Sequence, residues 1–479
     1  MTKPALHVWQ YGLTIGLDKS GDPVSETETV NVIIIASRAC YFVDTFFVPD
    51  ERADTDKYGD SFGKAFVQWW DNFFIPYEGK DAPPLRDDVS AIVTDNVNYN
   101  VGAFRRHWKP RFAKAHQIRC LAHILNLVGM HFREHRCLYL LREFMSKTRS
   151  VLKGKKNIRR RRRLRKFLMS QKEQNGEGIT TIPPDWADTR WSGWYDSVVW
   201  FTCGLGAFRK WLQQEVNTPD CLATLSDLDA WLQVNGTTVR LQLTFVKEHA
   251  KDIFGLLQPI QVSVAATHAV TAKDRRPKPH MHRVYNQMHE LYVTLQTRVD
   301  SKSLGPATED RLERKTAAGQ YLYAQRQRMR ADFLDVVRQA KEKLWKYVSK
   351  HMDFAKQARV VDPRQIARLS PEITQFPDIF PSSIRDQVVD SGEWNLYRES
   401  IQPDSQKFDL LQWWESMAPR LPIMYACARR TLAIPHTSCD VERSFSVWKR
   451  VRSDKQYSMQ EGTHKAYVSF CFNGVVPEP

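Results

Sequence analysis

The chain contains no Cys-x-x-Cys pair. Its eight cysteines, at 40, 120, 137, 203, 221, 427, 439 and 471, are scattered. That scatter argues against a zinc finger or a disulfide framework and for reduced thiols in cytosol or nucleus. Near the start, the longest apolar stretch is Val32 to Ala36, far too short to cross a bilayer. No charged segment followed by an apolar one opens the sequence, so no signal peptide is expected. Lipidation signals and basic amphipathic anchors are also missing, which leaves no membrane partner. No internal repeat is evident.

What the chain does have is length and positive charge. At 479 residues it exceeds one ordinary core, and two or three folding units are expected. Lysine plus arginine number 70 against 54 acids, a net charge of +16. A surplus of that size favours a polyanion such as nucleic acid as partner. The densest run, Lys153 to Lys166, includes Arg159, Arg160, Arg161, Arg162 and Arg163. A solvated helix face, phosphate contact and nuclear import all fit such a run.

Residues 8–48 read as three strands. Tyr11, Leu13, Ile15 and Leu17 alternate with Gly12, Thr14 and Gly16, a period of two. Val30 to Ala36 is a β-branched run suited to a strand covered on both faces, and Cys40 to Val48 follows. Phe62, Phe66, Trp69, Trp70 and Phe73 then recur at helical spacing. Val89 to Val93 forms a short strand ending in Thr94-Asp95-Asn96, a polar helix covers about 98–108, and Ile118 to Cys120 is a fifth strand. Leu121 to Phe132 is helical. Asp18 ends the first strand in this reading and Asp95 the fourth. In open α/β sheets functional residues gather beyond strand carboxyl ends, so these two acids come together if their strands are neighbours.

Beyond residue 133 the strands stop. Helices are expected over 133–170 and, after a loop from Gly176 to Pro184, beyond Ser192, the longest over about 308–352 with only Gly319 against it. Four prolines over 362–384 read as a loop. Pro435 stops a helix, and Thr437, Ser438 or Asp440 can cap the next. That next helix places Val441, Phe445 and Trp448 on one face, with Glu442 in its first turn, where a carboxylate is tolerated. On spacing alone Glu442 is a capping-box glutamate, and Asp95-Asn96 a turn or N-cap.

The stretch LAIPHTSCDVERSFSVWKRVRSDKQYS resembles the C-terminal signature of hAT-superfamily transposases, and the Trp413-Trp414 pair before it fits the same family. The resemblance implies an RNase H-like mixed α/β sheet interrupted by a large all-α insertion. It also makes Glu442 the last acid of an Asp-Asp-Glu site. IVTDNVNYNVGAF resembles the segment carrying the second acid, giving Asp95. YGLTIGLDKSGD resembles the first strand, giving Asp18, although Lys19 and Ser20 replace the usual tryptophan-containing turn and leave Asp22 and Asp44 as alternatives. Cys120 and His123 match the family's Cys-x-x-His helix start, and Arg190 and Trp191 its Arg-Trp motif. These four, with Arg159 to Arg163, are the expected DNA-binding set, Cys120 and His123 as residues that support the site, with a satisfied core histidine as the alternative for His123. Trp191 is suited either to stacking on an unpaired base or to a helix core shared with Trp194 and Trp200.

The expected organisation is a first part of the RNase H-like domain over 1–132, a helical insertion over 133–404, and a C-terminal dimerisation region over 405–479. The implied chemistry is DNA strand cleavage and transfer with two Mg2+ (or Mn2+) ions held by Asp18, Asp95 and Glu442. Transposon ends, target DNA and a second copy of the chain would be the partners, in the nucleus. Family members usually begin with a zinc-binding BED finger, whereas this chain starts almost at its first strand. A truncated gene product, or DNA recognition through other surfaces, are the two expectations. A domesticated, non-catalytic DNA-binding or dimerising protein is the main alternative, and a nuclease for RNA–DNA hybrids the third.

Overall fold

The computed structural model describes residues 13–21, 27–36, 39–49, 55–74, 89–153, 157–175, 178–186, 191–218, 223–265, 281–400, 408–439, 441–442, 444, 463, 465–466 and 468–469. The chain divides into two compact units. One comprises residues 1–124, 260–288 and 347–479; the other comprises 125–259 and 289–346.

The first unit is built on a five-stranded sheet. Strands β1 (Leu13–Gly21), β2 (Thr27–Ala36) and β3 (Ala39–Pro49) are followed by helix α1 (Thr55–Phe74), then by β4 (Val89–Thr94) and β5 (His116–Arg119). Their order across the sheet is β3-β2-β1-β4-β5. The first three pair antiparallel, while β1–β4 and β4–β5 are parallel. The anticipated succession of strands and helices is therefore present, with β1 and β4 as neighbours.

Alternation along each strand sorts its side chains between the two faces. Ile15, Leu17, Val30, Val32 and Phe46 belong to one buried core with Tyr58, Phe62, Phe66 and Trp70 of α1. Phe46 stacks on Phe62 at 6.3 Å and on Trp69 at 6.0 Å. The intervening residues Gly16, Asp18 and Asn31 therefore belong to the opposite face. There Asn31 donates to Ser444 Oγ at 2.7 Å, which places the C-terminal chain over that face.

Three sequence expectations change in detail. β1 does not end at Asp18, because antiparallel pairing with β2 carries it on to Gly21, opposite Glu28. The helix expected over 308–352 is two, Pro306–Ala317 and Tyr323–His351. Gly319 between them has φ of +70°, a conformation that glycine adopts without steric cost. Residues 358–400 pack as part of the sheet-containing unit instead of with the insertion, and the proline-rich stretch is a series of short turns. Buried hydrogen bonds hold those turns: Tyr397 Oη to the Val360 carbonyl (2.6 Å) and Trp414 Nε1 to that of Val361 (2.8 Å).

Among the described residues the second unit has helices and no strand. Its main helices include Tyr139–Leu152, Ile158–Asn175, Trp191–Val216 and Ala223–His249. Trp194, Trp200, Phe201, Phe208 and Trp211 are buried, so the tryptophans that follow Trp191 on its own helix are core.

Candidate active site

Asp18 and Asp95 stand at the same end of adjacent strands. Gly16 pairs with Val93 across the parallel β1–β4 ladder, and each acid lies two residues beyond its member of that pair. Asp18 is paired directly with Asn31 on the other side. Directly opposed residues in an antiparallel pair project to the same face, so Asp18 shares the face of Asn31 and hence of Ser444.

The C-terminal chain reaches this face by a route legible in its sequence. Helix Pro422–Ala433 stops just before Pro435, which has no N–H to continue it. Its first turn is fixed by the buried Glu393, whose carboxylate accepts the amides of Ile423 (3.2 Å) and Met424 (2.8 Å). Arg430 donates to Ser90 Oγ at 2.6 Å, tying the helix to the start of β4. The chain then crosses to β5, where the Leu121 amide donates to the His436 carbonyl at 2.8 Å. A helical turn begins at Cys439; Val441 and Glu442 donate to the Ser438 carbonyl at 2.9 and 3.1 Å.

Two contacts seat that turn on the sheet. One is the Asn31–Ser444 hydrogen bond; the other is Val441 over Gly16. A Cβ placed on Gly16 would stand 2.9 Å from Val441 Cγ2, so only glycine allows this approach. Glu442, next along from Val441, is half-buried. Phe445 and Trp448 lie outside the described residues.

Asp95 is also tied to this assembly. Its Oδ1 accepts from the Asn100 side chain and, at 3.4 Å, from the Val97 amide, so Asp95 orders the start of helix Asn98–Ala103. The adjacent Asn96 donates to the Cys120 carbonyl at 3.1 Å, and the Cys120 amide donates to the Thr94 carbonyl at 2.9 Å. Cys120 Sγ in turn accepts the Ser438 amide at 3.3 Å. A continuous set of hydrogen bonds thus links the strand end carrying Asp95 to the turn carrying Glu442.

Hard carboxylate oxygens are the right donors for magnesium or manganese. Among the described residues, however, no group of three or more His, Cys, Asp and Glu side chains is placed to hold a metal ion. The donor chemistry suits the cation, and the described side-chain positions do not form its cage.

Asp44, the alternative first acid, belongs to β3, with β2 and β1 between it and β4. Its carboxylate receives Trp69 Nε1 at 2.9 Å and Lys465 Nζ at 3.1 Å. It does not neighbour Asp95. Asp22 lies outside the described residues.

The DNA-binding expectations fare unevenly. Cys120 is fully buried and cannot touch nucleic acid; it supports the site from within. His123, on the same helix, is half-buried. Arg190 lies outside the described residues, and Trp191 opens helix Trp191–Val216. In the basic helix Ile158–Asn175, Leu164 and Leu168 are buried, and that face docks. Arg163 forms a bidentate pair with the buried Glu215 (2.6–3.0 Å) and Arg160 donates to Asn157 Oδ1 (2.8 Å), so these two are structural. Arg159 and Arg162 are exposed and Arg161 is half-buried.

One constellation was not anticipated. His135 Nδ1 lies 3.1 Å from Cys137 Sγ, and its Nε2 lies 3.0 Å from Asp335 Oδ2. These are the elements of a nucleophile triad. Burial, with Asp332 and Asp335 nearby, pushes the Cys137 thiol up to about 12, the reverse of activation. His135 Nδ1 also accepts the Cys137 amide, so the imidazole caps a helical turn. The His-x-Cys spacing was visible in the sequence, but its partner is 198 residues further along.

Trp414 is completely buried and stacked on Tyr397 at 5.3 Å, while Trp413 is half-buried. No helix among the described residues is long and apolar enough to cross a membrane. No curated protein matches the chain. Residues 394–471, from Trp394 through the turn that carries Glu442, match the hAT family C-terminal dimerisation region, and that match supports the chain as an hAT-family transposase.

Proposed function

We propose that the protein is an hAT-type DNA transposase whose strand cleavage and transfer depend on Asp18, Asp95 and Glu442, set on an RNase H-like sheet. The observation that carries this reading is the seating of the Glu442 turn, through Val441 on Gly16 and Ser444 on Asn31, over the face that bears Asp18. On this reading β1, β4 and the returning turn each contribute one of the three acids. Asp18, Asp95 and Glu442 would hold magnesium or manganese, which supplies activation of the attacking oxygen and stabilisation of the departing one. The protein's own part is to orient those carboxylates and keep the strand-end backbone fixed.

The dimerisation region supports a homo-oligomer, with transposon ends and target DNA as the nucleic-acid partners. Exposed Arg159 and Arg162 suit phosphate contact or nuclear import, and we place the protein in the nucleus on that basis.

A second reading, a non-catalytic DNA-binding and dimerising derivative, is favoured by the missing three-ligand cluster among the described residues. The purified protein, incubated with the ends of its own element, separates the two. Nicks that need magnesium or manganese and vanish with a chelator support the transposase. Binding without nicks supports the derivative.

A further inference from the structure

Two cysteines remote in sequence meet behind the candidate site. Cys120 sits at the junction of β5 and helix Leu121–Gly129, and Cys439 opens the helical turn that carries Glu442. The Thr437 hydroxyl lies between them, 3.4 Å from Cys120 Sγ and donating to Cys439 Sγ at 2.9 Å. Both are free, and they are 0% and 5% exposed. Nothing in the proposed DNA chemistry uses them.

We propose that Cys120 and Cys439 form a reversible disulfide that fastens the Glu442 turn to the end of β5. Their environments already divide the roles of a thiol pair. A hydrogen bond with Cys439 and the Ser438 amide, which donates to Cys120 Sγ at 3.3 Å, hold the Cys120 thiol well below its ordinary range. The position just before a helix N-terminus favours the same thiolate. Cys439, as the partner in that hydrogen bond and by its own burial, is pushed the other way. Cys120 is the attacking sulfur and Cys439 the resolving one.

The oxidant is a small hydroperoxide. The Cys120 thiolate attacks one oxygen of hydrogen peroxide and the O–O bond breaks. The hydroxide released takes a proton and leaves as water, and Cys120 becomes a sulfenic acid. Cys439 gives up its thiol proton and attacks the Cys120 sulfur. The S–S bond forms as the S–O bond breaks, and the second oxygen leaves as water. Two thiols lose two electrons and one peroxide gains them. A dithiol reductant returns both electrons and both protons. Bulky thiol reagents are excluded by burial, whereas a peroxide can enter through local opening of the terminal turn. Cys203, which is exposed, is the internal control for ordinary thiol reactivity.

The test uses the full chain, native, exposed to hydrogen peroxide. It is then denatured, labelled with N-ethylmaleimide, digested and analysed by mass spectrometry without reduction. The expected product is a Cys120 peptide joined to a Cys439 peptide, lighter than the pair by two hydrogens. Both sites escape labelling, and dithiothreitol restores it. In Cys439→Ser the joined peptide should disappear and Cys120 should stop at a sulfenic acid, trapped by dimedone. Full N-ethylmaleimide labelling of Cys120 and Cys439 after peroxide overturns the proposal. So does either cysteine joined to a different one. The outcome is independent of whether the chain cuts DNA.

Discussion

Gly16 lies directly beneath Val441, across a gap of 425 residues in sequence. A Cβ on Gly16 would also meet Ile33 Cγ1 at 2.7 Å, so the position is closed from two sides. Gly16 itself has an ordinary backbone conformation; space alone demands glycine here. Gly16→Ala should therefore lift the Val441 turn or displace Ile33, at a cost of about 1–3 kcal/mol. Chemical denaturation measures the loss. Because the next residue is Glu442, the variant should also lose more strand cleavage than its stability accounts for.

A pH effect should originate on β5. His116 pairs with Ala91 of β4 and packs on Phe354 at 4.5 Å. Burial holds its imidazole down to about 4, against the opposing pull of Asp378 and with help from Lys109 and Arg430. In the unfolded chain the same group titrates near 6.5. Between those values the unfolded state binds the extra proton, so stability is present above pH 6.5 and is lost as pH falls toward 4. The loss from this one group is on the order of 3 kcal/mol. Unfolding measured across that window should show a smaller acid loss in His116→Gln than in the wild type. Identical slopes would remove His116 as the source.

The basic helix should divide into two kinds of arginine. Arg163→Ala leaves Glu215, whose side chain is 6% exposed, without its guanidinium. That should cost about 1–3 kcal/mol of stability. Arg159→Ala and Arg162→Ala should leave the melting temperature unchanged. If they contact phosphate, each should reduce the slope of log affinity against log salt by about 0.9 on duplex DNA. An alanine block over Arg159 to Arg163 would confound the two effects, since it removes the Glu215 partner as well.

Much of the sheet was legible because its strands carry strong local signals. The alternation from Leu13 to Leu17 and the apolar run of β4 announce themselves within a few residues. Proline before the final turn likewise marked where Pro422–Ala433 stops. What the sequence concealed depends on partners far along the chain. Nothing local to Asp18 says that β1 continues to Gly21, because β2 supplies that pairing. Arg163 looks like its neighbours in a run of arginines until Glu215 is placed beside it. Cys120 matched a Cys-x-x-His helix start, but nothing local to it says that Ser438 and Thr437 pack against its sulfur. The proline-rich 362–384 stretch read as a loop because its order comes from residues beyond it: Trp394 satisfies the Pro371 carbonyl, and Tyr397 and Trp414 hold Val360 and Val361 just before it.

The central claim is that Asp18, Asp95 and Glu442 act as one site. It is tested most directly by strand cleavage with Asp18→Asn, Asp95→Asn and Glu442→Gln, each assayed beside wild type on the same DNA ends with magnesium and with manganese. An amide keeps the volume of the acid and removes the charge that a divalent cation requires. The account predicts that all three variants fold, bind the ends and lose cleavage to background with either metal. Wild-type cleavage by any one of them, at equal binding, would contradict it.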